Sequence, residues 1–136
     1  MDIMTAVYNV LASDDFVQST VDVNRDIKYY TYPEIASLLS PYIVIDEPDD
    51  ALPMEYADND PMANSYLVEV NVYTVAQTGM NARVLCKTLN DHIKQIIWDE
   101  LGMYNTSNSK PEYDKDYKIY RRASRYEGAF YNEKIN

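Results

Sequence analysis

His92 and Cys86 are the only histidine and the only cysteine, so nucleophilic or imidazole chemistry would start from them. They lie six residues apart on a helical stretch. Six residues turn a helix by about 600°, so the two side chains do not share a face. Cys86 falls on an apolar stripe and reads as core. His92 reads as a boundary residue. A zinc site would need further Cys or His ligands. A lone cysteine also excludes a disulfide within the chain. With three glycines there is no Gly-rich phosphate loop of either common kind, and no Gly-x-Ser-x-Gly elbow. The densest cluster of titratable groups is acidic: Asp46, Glu47, Asp49, Asp50, Glu55, Asp58 and Asp60, with no base among them. Asp46 to Asp50 suits weak surface binding of Ca²⁺ or Mg²⁺, but it lacks the glycine and terminal glutamate of an EF-hand loop. No catalytic residue, cofactor site or metal ligand set is assigned.

The other unusual chemistry is aromatic and basic. Fourteen tyrosines stand against two phenylalanines and one tryptophan. They cluster at Tyr29, Tyr30 and Tyr32, at Tyr113, Tyr117 and Tyr120, and at Tyr126 and Tyr131. An aromatic ring with a polar tip suits surfaces that are wet before assembly and dry after it. The rival reading is a sheet with amphipathic aromatics at its margins. Arg121, Arg122 and Arg125 sit among Tyr117, Tyr120 and Tyr126. Interleaved basic and aromatic residues suit single-stranded nucleic acid. The whole chain opposes that reading, since twelve bases face twenty-two acids for a net charge of −10. A nucleic-acid binder carries a basic footprint, and an anionic membrane is disfavoured for the same reason. Seven of the twelve bases lie between Lys110 and Lys134. An acidic loop and a locally basic end are either ordinary solvated surface or complementary faces that stack identical subunits. A salt bridge between subunits, from these arginines to the acidic loop, fits the charge balance better than nucleic acid does.

The elements that must position these residues follow from periodicity. The chain of 136 residues is one domain's worth, with 46% hydrophobic and 25% charged residues. No apolar run approaches the ~20 residues that span a bilayer, and Met1-Asp2-Ile3-Met4 does not resemble a signal peptide. A soluble, non-secreted domain is expected. Asp2 to Ala12 reads as a helix burying Ile3, Val7, Val10 and Leu11, with Ser13 or Asp14 capping a short turn through Val17. Ile27 to Tyr32 and Tyr42 to Asp46 read as strands. Glu47 to Ala63, with Pro48, Pro53 and Pro61, reads as a loop too long and acidic for a tight hairpin. Asn64 to Ala76 is the clearest strand. It places Tyr66, Val68, Val70, Val72 and Thr74 on one face, and Leu67, Glu69, Asn71, Tyr73 and Val75 on the other. Its ~43 Å length predicts extension past the core or a bend. Gly79 to Glu100 is the clearest helix, with Thr78 as cap, Gly102 as stop, and a stripe of Ala82, Leu85, Cys86, Leu89, Ile93, Ile96 and Ile97. Met103 to Thr106 begins a strand, and Asn105 to Pro111 is a loop by composition. Tyr117 to Tyr131 reads as a final strand with a turn near Ala123 and a bulge or bend at Gly128. The order predicts an α+β fold. It has a mostly antiparallel sheet of about four to five strands, a long amphipathic helix across it and an N-terminal helix.

In size, element order and local patterns the chain resembles the tail-terminator, or tail-completion, proteins of long-tailed bacteriophages and prophages. The patterns are Tyr30-Thr31-Tyr32-Pro33 after an N-terminal helix and the acidic loop after Tyr42-Ile43-Val44-Ile45. They continue with the strand Tyr66-Leu67-Val68-Glu69-Val70-Asn71-Val72-Tyr73 and the helix from Asn81 to Glu100. The last is the ending Asp114-x-Asp116 to Tyr120-Arg121-Arg122-Ala123-x-Arg125-Tyr126. The resemblance covers most of the chain, and none of these patterns is a catalytic signature. It implies a non-enzymatic virion protein without a cofactor, found at the head–tail junction and in the host cytoplasm during assembly. The implied partners are further copies of itself in a hexameric ring, the tail tube protein, a head-completion or connector protein, and passing double-stranded DNA without specific binding. It implies no membrane. The acidic loop is then expected at the lumen or a ring interface, and Tyr117, Tyr120, Arg121, Arg122, Arg125 and Tyr126 at a subunit or partner interface. Three other readings stay open. They are a head-closure or adaptor protein of the same neck, a small-ligand or peptide-binding α+β domain outside phages, and an enzyme using the loop carboxylates.

Overall fold

The computed structural model describes residues 1–57, 60–77 and 79–131, with the backbone alone at 54–57 and 60–62. Helix α1 (Ile3–Ser13) opens on Asp2, whose carboxylate accepts from the backbone N–H groups of Met4 and Thr5. It buries Ile3, Met4, Val7 and Leu11, so Met4 takes the place expected for Val10. Asp14 then caps α2 (Asp15–Thr20) by accepting from the N–H of Val17. Strand β1 (Ile27–Tyr29) is shorter than the predicted 27–32, because Tyr30 turns into the left-handed region at φ 57°. Strands β2 (Tyr42–Asp46), β3 (Leu52–Ala57) and β4 (Asp60–Val75) follow. Helix α3 (Ala82–Leu101) precedes β5 (Tyr104–Asn108), β6 (Glu112–Asp114) and β7 (Ile119–Tyr131).

The fold is α+β, with one mixed sheet of seven strands in the order β1-β2-β4-β7-β5. β3 also pairs with β4, and β6 with β7. Among the described residues only the β1–β2 pair is parallel. The axis of the sheet is the long β4–β7 pair, in unbroken register from Ala63↔Tyr131 to Val75↔Ile119. Each long strand is flanked by two short ones laid end to end. β4 pairs with β2 and then β3, and β7 pairs with β5 and then β6.

That pattern corrects several expectations. The sheet has seven strands where about four to five were expected, and Tyr104–Asn108 is a strand although Asn105 to Pro111 reads as a loop. Residues 47–63 are not one loop. After an excursion at 47–51, Leu52–Ala57 rejoins the sheet as β3 and forms a hairpin arm with the start of β4. Register shifts between Pro53 and Tyr56 absorb the irregularity. Proline is tolerated on an edge strand because its missing N–H is not needed by a second neighbour. Nor does the last strand turn at Ala123, since β7 runs straight through it. Gly128 carries no bulge in that register either. A Cβ there would lie 2.8 Å from Met103 Cγ, so the glycine makes room for the buried Met103.

α3 starts later than predicted, at Ala82, and its cap is Asn81, whose side chain accepts from Val84 N–H. Thr78, the expected cap, lies outside the described residues. Gly102 closes the helix in the left-handed conformation at φ 65°, as expected of a C-terminal glycine. α3 lays Cys86, Leu89, Ile93 and Ile97 across the sheet, against Val68, Val70, Val72 and Tyr126. Leu85 and Ile96, expected in that stripe, are half-buried at its margins. α1 and α2 complete this core with Ile3, Val7, Leu11 and Val17. On the opposite face the segment 30–41 covers a second, smaller core of Leu38, Val44, Tyr73, Val75 and Ile119.

Candidate functional site

Alternation along β7 divides the three clustered arginines between the two faces of the sheet. Arg121 and Arg125 share the face turned away from the helices, and Arg122 points to the helix side, because successive strand residues alternate. Arg121 is already satisfied within the chain. Its guanidinium donates to Asn71 Oδ1 at 2.6 Å, lies 3.2 Å from Glu112 Oε1, and sits 5.8 Å above the Tyr73 ring. Asn71 is fully buried in the middle of the sheet, so the arginine answers an amide that water cannot reach. Tyr32 closes the same neighbourhood by donating its hydroxyl to Asp46 Oδ2 at 2.6 Å. Burial and that carboxylate push the Tyr32 phenol well above its ordinary value. Burial likewise raises Tyr73, against the opposing pull of Arg121. A hollow of about 360 Å³ lies between Tyr32, Tyr73, Glu112, Asp114 and Arg121. It pairs its only cation internally.

The tyrosines also separate. Tyr117 is exposed in the β6–β7 turn, where Asp114 Oδ1 accepts from the N–H groups of Asp116 and Tyr117. The Asp114-x-Asp116 pattern is thus a turn-forming device. Tyr120 stacks on Tyr113 with ring centroids 4.5 Å apart, and Tyr113 is exposed. Tyr126 overturns its expected place at an interface. It has no exposed surface, it packs in the helix-side core, and burial pushes its phenol up to about 12. Its hydroxyl has no hydrogen-bond partner among the described residues. It cannot reach a partner without opening the core.

The acids remain together only in part. Asp46 is bound to Tyr32, Glu47 is half-buried, and Asp49 and Asp50 are exposed in the 47–51 excursion. The side chains of Glu55 and Asp60, and all of Asp58, lie outside the described residues. Glu47 is raised by burial, then by the neighbouring carboxylates of Asp50 and Asp2. Asp2 was not singled out in the sequence, because the fold rather than the spacing brings α1 to the end of β2.

Cys86 and His92 do not meet. The Cys86 thiol is buried 3.5 Å from the Val72 carbonyl oxygen, and burial raises it to about 11, so little thiolate forms at neutral pH. His92 Nε2 lies 2.7 Å from Asp14 Oδ2, and its ring is 5.0 Å from Phe16. That contact ties α3 to the cap of α2. Among the described residues no group of three His, Cys, Asp or Glu side chains is placed to hold a metal ion. No described helix is long and apolar enough to cross a membrane.

Two polar sites escaped the sequence reading. One is Asn71. The other is Ser124, buried with its hydroxyl 2.7 Å from Asn108 Oδ1 and 3.2 Å from Asn90 Oδ1. Asn90 within an otherwise apolar helix stripe was the signal for the second. Comparison with protein-family models and with curated proteins finds no match for this chain.

Proposed function

We propose that the chain is a structural subunit of a long-tailed phage or prophage. Copies of it, six in the expected ring, close on the head-proximal end of the tail tube, stop tube growth and offer the face that joins the head. The observation that carries this reading is the aromatic surface. Seven tyrosines (Tyr29, Tyr30, Tyr32, Tyr104, Tyr113, Tyr117 and Tyr131) are between 40% and 70% exposed on one small domain, and Trp98 is 55% exposed. Rings with polar tips dispersed over several flanks suit a protein gripped by neighbours on more than one side. The hairpin of β3 and β4, paired from Leu52↔Ser65 to Ala57↔Asp60, adds a further edge to the sheet.

Ring geometry is compatible with the passage of DNA. A 136-residue domain has a radius of gyration of ~14 Å, equivalent to a sphere of ~18 Å radius. Six touching spheres leave a hole about 36 Å across. A net charge of −10 disfavours adhesion of phosphates in transit. The stretch Asp46 to Asp60 is expected at the lumen or at a ring interface.

The test is tail length, measured by negative-stain microscopy of particles lacking this gene. Overlong or heterogeneous tubes without heads are expected. Tails of normal length beside unattached heads would move the protein to the head side of the neck. Normal infectious particles would discard the phage reading.

A further inference from the structure

Helix α3 carries its charges at the wrong ends. Arg83 is the second residue after the Asn81 cap, the first turn holds no acid, and the last turn holds Asp99 and Glu100 with no base. The positive pole of the helix therefore faces a cation and the negative pole faces two anions, which is unfavourable in an isolated chain. Arg83 does not stand alone. With Arg122, Pro111, Tyr113 and Tyr120 it lines a cleft of about 170 Å³. The stacked Tyr113–Tyr120 pair forms one wall. Among the described residues neither Arg83 nor Arg122 has a carboxylate at ion-pair distance. The carboxylate nearest in sequence that lines the cleft, Glu112, is taken by Arg121.

The opposite flank of the sheet carries the complementary defect. Asp50 and Asp2 lie near Glu47 and raise it, and Glu47 and Asp50 have no ion-pair partner among the described residues. Asp2 is held by the cap of α1, and exposed Tyr30 lies beside them. β4 and β7 stand between β2, which carries the acidic shoulder, and β6, which borders the cleft. At ~4.8 Å per strand the two strands are about 14 Å apart across the sheet. The patches are offset along it as well, since Asp46 lies level with Arg125 and Glu112 with Arg121. Patches on different flanks meet head to tail, and a head-to-tail contact is the kind that closes rings.

We propose that the Arg83–Arg122–Tyr113–Tyr120 cleft of one copy receives the acidic shoulder of a second copy, with Asp49 and Asp50 leading. This rests on the ring-forming reading and names one contact within it. Arg121 also borders the cleft, but its guanidinium is held by Asn71 and Glu112, and Tyr126 is buried in the core. Arginine and tyrosine against carboxylates is a common interface chemistry, and its attraction steers the encounter.

The experiment is sedimentation velocity of the whole chain at low ionic strength, with four samples: wild type, Arg83→Glu/Arg122→Glu, Asp49→Lys/Asp50→Lys, and an equimolar mixture of the two variants. The wild-type chain is expected to associate, and more weakly as salt rises. Each double variant alone is expected to associate at least tenfold more weakly. The mixture is expected to recover association, because the acidic cleft of the first variant meets the basic shoulder of the second, and the reverse pair is unchanged. Folding is checked by thermal melts. Arg83→Glu alone improves the helix charge pattern, so a lost contact with an unlowered Tm cannot be misfolding. If wild type and both variants associate alike, this contact is wrong and the ring reading stands. A mixture that fails to recover also overturns it. Loss of duplex DNA binding by the arginine variant with self-association intact would assign the cleft to nucleic acid instead. If the wild-type chain stays monomeric both in solution and on tail tubes, the ring reading falls, and this contact with it.

Discussion

On the helix-covered face of the sheet Ile43, Ile45, Val68, Val70 and Val72 are all fully buried in a mainly apolar core that also holds Cys86, Met103 and Tyr126. On the other face the same strands present Asp46, Glu69, Asn71 and Tyr73, with Arg121 arriving from β7, under a cover made by the 30–41 segment. The first face gains stability in proportion to area removed from water. The second spends part of its area on polar groups that must find each other, so it holds geometry more than free energy. The long strand β4 belongs to both faces at once. Its polar face is where the sequence leaves the ordinary pattern of a buried sheet.

The largest expected difference between the faces is in truncation. Leu89→Ala, on the buried side of α3, should cost about 2–5 kcal/mol in urea unfolding, because the surrounding core collapses only partly into the cavity. Val75→Ala, in the smaller core under the 30–41 segment, should cost clearly less. Equal losses would mean that the two cores are equally rigid, and the contrast would fail.

High pH should strain both faces, in a defined order. Cys86 is raised to about 11 from 9.0, and Tyr126 to about 12 from 10.0, mainly by burial. Each group keeps its proton longer folded than unfolded. The stability it contributes is therefore whole below the unfolded value and lost as pH rises through the folded one. Cys86 acts first, between about pH 9 and 11. Tyr126 follows from about pH 10 to 12, joined from the other face by Tyr32 and Tyr73, which are also raised. Two pKa units correspond to a roughly hundredfold smaller thiolate fraction at pH 8. Alkylation of native Cys86 should be slower than in the unfolded chain by at least that factor. Equal rates would show that the helix-side core opens readily.

Arg121→Met sharpens the contrast from the polar side. It removes the partner of Asn71 while keeping most of the side-chain volume. An unanswered buried amide oxygen should cost about 1–3 kcal/mol. Adding Asn71→Ala should recover part of the loss, and the double-mutant cycle measures the coupling. A fully additive pair would mean that the 2.6 Å contact carries no energy of its own.

The same contrast explains how far the fold could be read from the residues. The helix-covered face follows simple periods, so α1, α3, β2 and the alternation of β4 were legible in advance. Their apolar spacing has one satisfactory burial each. The short edge strands β3, β5 and β6 were not, or only in part. They have little apolar pattern of their own and exist because β4 and β7 offer them a ladder. Prolines and acids in 47–63 masked β3 for that reason, and Ala123 read as a turn although its neighbour Ser124 is a buried polar anchor. The candidate site was legible as a composition and not as an arrangement. Tyr120, Arg121, Arg122 and Tyr126 are nearly adjacent in sequence, yet alternation turns Arg121 into a polar network on one face, while position along β7 puts Tyr120 and Arg122 at the cleft and Tyr126 in the core on the other. Arg83 and Asp2 complete the charged surfaces from distant elements, which no local spacing could reveal.

The smallest expected effect separates a helix's own preferences from those of its assembly. Arg83→Glu puts an anion at the positive pole of α3, where such a charge is worth about 0.3–1 kcal/mol at low ionic strength. The monomer should become slightly more stable, by a rise in Tm that shrinks as salt is added. Asp99→Lys tests the other pole in the same direction, with no part in the proposed contact. If both raise Tm but only Arg83→Glu weakens association, the unfavourable charge at the start of α3 is kept for a partner. If Arg83→Glu lowers Tm instead, Arg83 already serves the folded chain, and the helix ends do not differ in the way their charges suggest.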